Sequence, residues 1–181
     1  MNLFIGCSSS EDINEKYILE CEKYLDELFK CKNNLVFGAY NGGIMGISYN
    51  SALKNKRDII GICPDVFKSE LNNLECTKSI VTEDILERTK NLINEADALI
   101  FLPGGIGTIL ELIAAIDKKR NGEIDKPIII YNCYNFFDDL FLFLEKIYKE
   151  KFSNENVRKC YYFSNSSKDT LEYIVDYYKE K

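Results

Sequence analysis

The chain of 181 residues contains no histidine. That absence removes Ser-His-Asp and Cys-His nucleophilic schemes, histidine-ligated zinc and histidine general bases. Any catalysis must run on carboxylates, Arg, Lys, Tyr, thiols or backbone groups. No run of 18 or more apolar residues occurs, so no transmembrane helix is expected. The opening "MNLFIGCSSS" lacks the basic flank and long apolar region of a signal peptide. Seven cysteines are present, but they are odd in number, scattered and without metal-ligand spacing. They read as reduced thiols of a cytoplasmic protein, with no metal site.

Positive charge is also short. The formal net charge is −6 and the pI about 4.9. This argues against duplex nucleic acid or an anionic membrane surface as the main partner. A small anionic ligand remains compatible, because a local site can oppose the global sign. Hydrophobic residues make up 46% and charged residues 29%, as in a globular chain. The length suits one domain over 1–181.

Apolar runs and helical patterns alternate along the chain. Strands are expected at "NLFIG" (2–6), "NLVFG" (34–38), "DIIGIC" (58–63), "ADALIFL" (96–102), "KPIIIYN" (126–132) and "CYYFS" (160–164). Helices are expected at 11–31, 42–56, 82–96, from the 103–108 loop to about Arg120, at 136–150 and at 167–181. Ser10 or Asp12 would cap the first helix and Thr82 the third. Residues 65–82 are the least regular segment and read as a long loop. The strands are continuous apolar runs, which is the signature of a parallel sheet covered on both faces. The expected fold is a single doubly wound, Rossmann-like α/β sheet with helices on both faces.

In such sheets ligands bind beyond the carboxyl ends of the strands, where the strand order reverses. In the common order 3-2-1-4-5-6 that point lies between the first and fourth of the strands named above. Three loops of small residues would meet there: "GCSSS" (6–10), with Ser8 and Ser9; "GAYNGGIMG" (38–46), with Gly43, Met45 and Gly46; and "PGGIGT" (103–108). Gly104, Gly105 and Gly107 permit a tight turn and close backbone approach, the following helix offers unpaired N–H groups, and Thr108 adds a hydroxyl. Together they make a phosphate cradle. For Ser8, Ser9 and Ser10, capping of the first helix is a strong rival reading. No Lys-Ser/Thr follows the glycines, so this is not a Walker loop, and neither glycine stretch fits a dinucleotide fingerprint.

Glu111 stands one helical turn beyond Gly107, on the same face. Near a helix N-terminus it is expected to stay ionised at neutral pH. A carboxylate is a poor phosphate ligand. It makes sense where positive charge develops during a reaction, as in the oxocarbenium-like state formed when an N-glycosidic bond breaks. A helix-dipole or capping glutamate is the other reading. Arg88, in "LERTK" (86–90), is the candidate balancing cation. A solvated surface arginine is its other reading.

At these residues the chain resembles the Lonely Guy family of cytokinin-activating phosphoribohydrolases, whose bacterial relatives carry a "lysine decarboxylase-like" label. "PGGIGTILE" (103–111) is similar to its PGGxGTxxE signature, "GCSSS" to its CGSS region, "GAYNGGIMG" to its GGGxxGLMG loop and "RTKNLINEADALIFLPGG" (88–105) to its RKxxM…ADAFIALPGG stretch. The resemblance places Arg88 and Glu111, 23 residues apart, on the two catalytic positions. It places Gly104, Gly105, Gly107 and Thr108 on the phosphate turn. It implies hydrolysis of AMP-like nucleoside 5′-monophosphates, N6-modified ones included, to free base and ribose 5-phosphate. It implies no metal or organic cofactor, and a homodimer with the site near the subunit interface. A non-catalytic nucleotide or cofactor carrier on the same fold is the alternative. The sequence departs from the pattern twice: Thr89 replaces the lysine of the Arg-Lys pair, and Gly38-Ala39-Tyr40 replaces a triple glycine.

Overall fold

A computed structural model describes residues 1–180. Seven strands form one all-parallel sheet: β1 (Asn2–Gly6), β2 (Asn34–Phe37), β3 (Ile59–Pro64), β4 (Lys78–Thr82), β5 (Ala98–Phe101), β6 (Ile128–Tyr131) and β7 (Tyr162–Ser164). Their order is β4-β3-β2-β1-β5-β6-β7. Leu3 of β1 pairs with Leu35 of β2 on one side and with Ala98 of β5 on the other. The chain therefore reverses its direction of winding between β1 and β5.

Seven helices cover the sheet: α1 (Glu15–Lys30), α2 (Gly43–Lys54), α3 (Lys68–Asn72), α4 (Ile85–Glu95), α5 (Ile106–Arg120), α6 (Asp138–Lys149) and α7 (Ser167–Lys179). Successive strand side chains point to opposite faces. Leu3 and Ile5 thus join a core with α1, α2 and α7, while Phe4 joins one with α4, α5 and α6. Both faces are apolar because both are covered, which explains the continuous apolar runs.

The six expected strands and the covered parallel sheet are present. The 65–82 segment is not a loop. It holds a short 3-10 turn (Asp65–Phe67), α3 and the parallel strand β4, which pairs with β3 from Ile60↔Lys78 to Pro64↔Thr82. β4 is an edge strand, exposed over much of its length, so it carries no apolar run to reveal it. The helix starts also differ from expectation. Asn14 caps α1, accepting from the Lys16 N–H, in place of Ser10 or Asp12. Asp84 caps α4, accepting from the Glu87 N–H at 2.8 Å, and the Thr82 hydroxyl instead donates to the Asp84 carbonyl.

Candidate functional site

A cavity of about 580 Å³ opens over the carboxyl ends of β5, β1, β2 and β3. The expected loops converge on it. The Ser8 N–H donates to the Pro103 carbonyl at 3.1 Å, and the Met45 N–H donates to the Ser8 carbonyl at 2.9 Å. These two backbone bonds tie the β1, β5 and β2 loops into one floor.

α1, α4 and α7 each begin at a side-chain cap, whereas α2 begins at Gly42 and α5 at Gly105 with none. In α5 the first intrahelical bond runs from the Ile109 N–H to the Gly105 carbonyl. The N–H groups of Ile106, Gly107 and Thr108 are therefore left without intrahelical acceptors, and all three residues line the cavity. This is an anion-receptive terminus.

Ser8, Ser9, Met45, Gly105, Gly107, Thr108, Arg88 and Glu111 line the cavity as expected. Gly104, Gly43 and Gly46 do not, and their value lies in backbone geometry. A Cβ on Gly104 would meet the Thr108 side chain at 2.1 Å. Gly43 has φ +56, and a Cβ there would lie 2.2 Å from the Ser10 carbonyl oxygen. A Cβ on Gly46 would press on the Asn41 backbone at 2.8 Å. These glycines let α2 and the β5 loop close on their neighbours, which positions the lining residues.

At the centre Arg88 Nη1 donates to Glu111 Oε1 at 3.0 Å. The pair is buried, with side-chain exposures of 15% and 7%. Arg88 is not a solvated surface residue, and Glu111 neither caps nor merely decorates a helix. The guanidinium also donates from Nε to the Ile62 carbonyl at 3.2 Å and from Nη2 to the Gly38 carbonyl at 3.5 Å. Gly38 makes room for it: a Cβ there would sit 1.9 Å from Nη2. Arg88 is the only basic residue among the described residues that line the cavity. Lys90 is exposed and does not replace the missing lysine. Thr89 turns inward and donates to the Ile85 carbonyl.

Glu111 corrects the expectation of a fully ionised carboxylate. Burial pushes its acid up to about 7, opposed by the charge and hydrogen bond of Arg88. Desolvation wins because Glu111 lies on the buried side of α5 with Thr108, Leu112 and Ala115.

On the far wall the sequence pattern did not mark Pro64, Phe67, Glu70 or Ile85, while Tyr40 stood out only as a departure from the family's triple glycine. Phe67 and Glu70 come from the 65–82 segment that carried no periodic signal, whereas Pro64 ends β3 and Ile85 opens α4. Cys7 and Ser10 complete the near side.

Fold and site together define a doubly wound, Rossmann-like α/β protein with an uncapped helix terminus and a buried acid–guanidinium pair at its switch point. The chain belongs to the family whose model, described as "Possible lysine decarboxylase", matches residues 45–174. A cytokinin riboside 5′-monophosphate phosphoribohydrolase of Arabidopsis thaliana is 27% identical over 96% of this chain and 81% of its own. A probable enzyme of the same name from Oryza sativa subsp. japonica is also 27% identical, over 96% of this chain and 70% of its own. Among solved structures, the Moco carrier protein from Chlamydomonas reinhardtii matches with a TM-score of 0.71 at 14% identity, covering 99% of this chain and 98% of that one. The molybdenum cofactor binding protein of Rippkaea orientalis matches with 0.71 at 19% identity, covering 97% and 95%. These structural likenesses establish the fold alone. The family's descriptive label does not suit the cavity: pyridoxal-dependent decarboxylation needs a Schiff-base lysine, and among the described residues no lysine lines it.

Proposed function

We propose that this protein is a nucleoside 5′-monophosphate phosphoribohydrolase. It would hydrolyse AMP-like nucleotides, N6-modified cytokinin-type ones included, to free base and ribose 5-phosphate. The observation that carries the reading is the buried Arg88–Glu111 pair beside an uncapped helix N-terminus. The names of the curated relatives agree with it.

In this reading the N–H groups at Ile106–Thr108, the Thr108 hydroxyl and the Ser8–Ser9 loop take the phosphate, while Met45 completes the floor. Gly104, Gly105 and Gly107 shape the turn, and Gly43 and Gly46 shape the α2 start. The C1′–N bond then lies near Glu111. As it breaks, its electron pair leaves with the base and positive charge appears on the ribosyl ring. The Glu111 carboxylate stabilises that charge and accepts a proton from the attacking water, whose oxygen bonds to C1′. The proton passes on to the departing base. Arg88 fixes the carboxylate in place and is the positioning cation. No metal or organic cofactor takes part.

The same reading makes residues 1–181 one nucleotide-binding domain, working in the cytoplasm without nucleic acid or membrane as partner. The unpaired state of all seven cysteines supports a reducing compartment. No helix among the described residues is long and apolar enough to cross a membrane. A homodimer is part of the proposal. It is supported by apolar residues exposed beside the cavity, Leu86 on α4 and Ile106, Leu110 and Ile113 on α5, with Ile106 83% exposed.

The test is incubation with a panel of nucleoside monophosphates, with free base and ribose 5-phosphate as readouts, repeated with Glu111→Gln. The variant should lose about 10³-fold in kcat while still binding AMP. Binding of AMP by the wild type without base release would favour a carrier. Full turnover by Glu111→Gln would refute the mechanism.

A further inference from the structure

The cavity is longer than a phosphate and a sugar require. It runs from the loop after β5, across β1 and β2, to the segment after β3. Those strands span three inter-strand spacings, or about 14 Å. If the phosphate sits at the start of α5 and the reacting carbon near Glu111, the base extends toward the β3–α4 segment. Its surroundings there are Tyr40, Pro64, Phe67, Glu70 and Ile85.

This wall is mostly apolar, and its one charged group among the described residues is a carboxylate. Pro64, Phe67 and Ile85 offer only apolar side chains. Its polar side-chain groups are the Tyr40 hydroxyl and the Glu70 carboxylate. Among the described residues no amide, lysine or arginine side chain stands on it. Glu70 lies on α3, and among the described residues no cation or side-chain donor engages its carboxylate. An ionised carboxylate only accepts hydrogen bonds. Through Glu70 the wall can therefore pair with an N–H on the base edge and set negative charge against a carbonyl, while the Tyr40 hydroxyl can donate or accept.

On the phosphoribohydrolase reading, we propose that Glu70 is a specificity-determining residue. Its carboxylate accepts a hydrogen bond from the exocyclic amine of the leaving base, so the enzyme selects amino-bearing nucleotides such as AMP. Tyr40 supports the selection from the opposite loop. Its ring packs on Gly42, where a Cβ would come within 2.4 Å of it, and so presents a fixed aromatic edge to the base. Neither residue belongs to the phosphate or the ribosyl machinery.

The experiment compares AMP with purine riboside 5′-monophosphate, which differs only in lacking the amine. The two bases leave with different intrinsic ease, so the quantity read is the ratio of their kcat/KM values in wild type against Glu70→Ala and Glu70→Gln. Glu70→Ala should lower the AMP preference about tenfold, the effect of one hydrogen bond to a charged group. Glu70→Gln keeps an acceptor oxygen and should fall between the two. A ratio that stays at the wild-type value in both variants overturns the assignment of Glu70 and leaves the hydrolase reading intact. If the wild type releases neither base, the hydrolase reading fails by itself. The ratio of calorimetric Kd values for the same two nucleotides then decides Glu70: a tenfold fall in Glu70→Ala sustains its role in reading the base, and no change ends it.

Discussion

Gly38→Ala should disable the site without touching either charged residue. The new Cβ would stand 1.9 Å from Arg88 Nη2 and 3.1 Å from Cζ. Ordinary contact requires about 3.5 Å, so the guanidinium must withdraw by roughly 1.5 Å. It cannot do so and keep its bonds, because Nη1 is already at hydrogen-bond length from Glu111 and Nε is held by Ile62. Glu111 then stays buried without the cation that opposes desolvation, and its acid rises beyond about 7.

Losing one charged hydrogen bond in a buried pair costs about 2 kcal/mol near neutral pH. The penalty should shrink at pH 5, where Glu111 is protonated in the folded state with or without its partner. Base release should fall about 10²-fold. The assay is a double-mutant cycle of urea unfolding and turnover with Gly38→Ala, Arg88→Ala and the double variant. Once Arg88 is truncated, the space beside Gly38 is empty, so the methyl should add under about 0.5 kcal/mol and the coupling should approach 2 kcal/mol. Full additivity of the two substitutions, or wild-type turnover in Gly38→Ala, would refute the reasoning.

Other consequences can be measured directly. The Glu111 acid lies near 4.5 in the unfolded chain and near 7 when folded. Between those values the folded state holds a proton that the unfolded state has shed. The stability linked to Glu111 is thus fully present below pH 4.5 and drains as pH rises to 7, by at most about 3 kcal/mol. Urea unfolding at pH 5 and 8 should show this slope in the wild type and not in Glu111→Gln. Gly43→Ala forces a side chain onto φ +56 against the Ser10 carbonyl, so it should destabilise by about 1–3 kcal/mol and raise KM, as seen by unfolding and steady-state assays. A nucleoside without its 5′-phosphate should lose about 10²-fold or more in kcat/KM, because phosphate binding energy is realised at the ribosyl transition state.

The sequence displayed the buried strands because a strand covered on both faces must be apolar at every position. It hid β4 for the converse reason. Lys78–Thr82 is exposed along much of one edge and needs no such run, so hydrophobic pattern and strand identity part company there. Part of the far wall of the cavity vanished with it, since Phe67 and Glu70 lie in the same irregular segment. The glycines were legible as a group but not in their individual duties. Gly105 and Gly107 have open space where a Cβ would be, whereas Gly104, Gly43 and Gly38 are crowded by Thr108, Ser10 and Arg88. No local spacing encodes whether a glycine makes room for a ligand or for a neighbouring chain segment. Arg88 taken alone looked like a surface residue. Its burial depends on Gly38, fifty residues away in the chain.

The acid in the opening turns of α5 weighs the enzyme against the carrier. An anion-binding protein gains nothing from a carboxyl at the inner end of its anion site. Burial already raises that acid to about 7, and a bound phosphate dianion would raise it further. The cost falls on the ground state. On the proposed hydrolase reading, positive charge appears on the sugar as the N-glycosidic bond breaks, the ionised form becomes favoured, and the interaction strengthens at the transition state alone. Arg88 prevents the carboxyl from becoming simply neutral in its dry surroundings, and Gly38 keeps Arg88 within 3.0 Å to do so. On the hydrolase reading the arrangement therefore fixes the oxygen atoms of a buried, titratable carboxyl where a proton can be taken from water, a service that retaining a phosphate does not need.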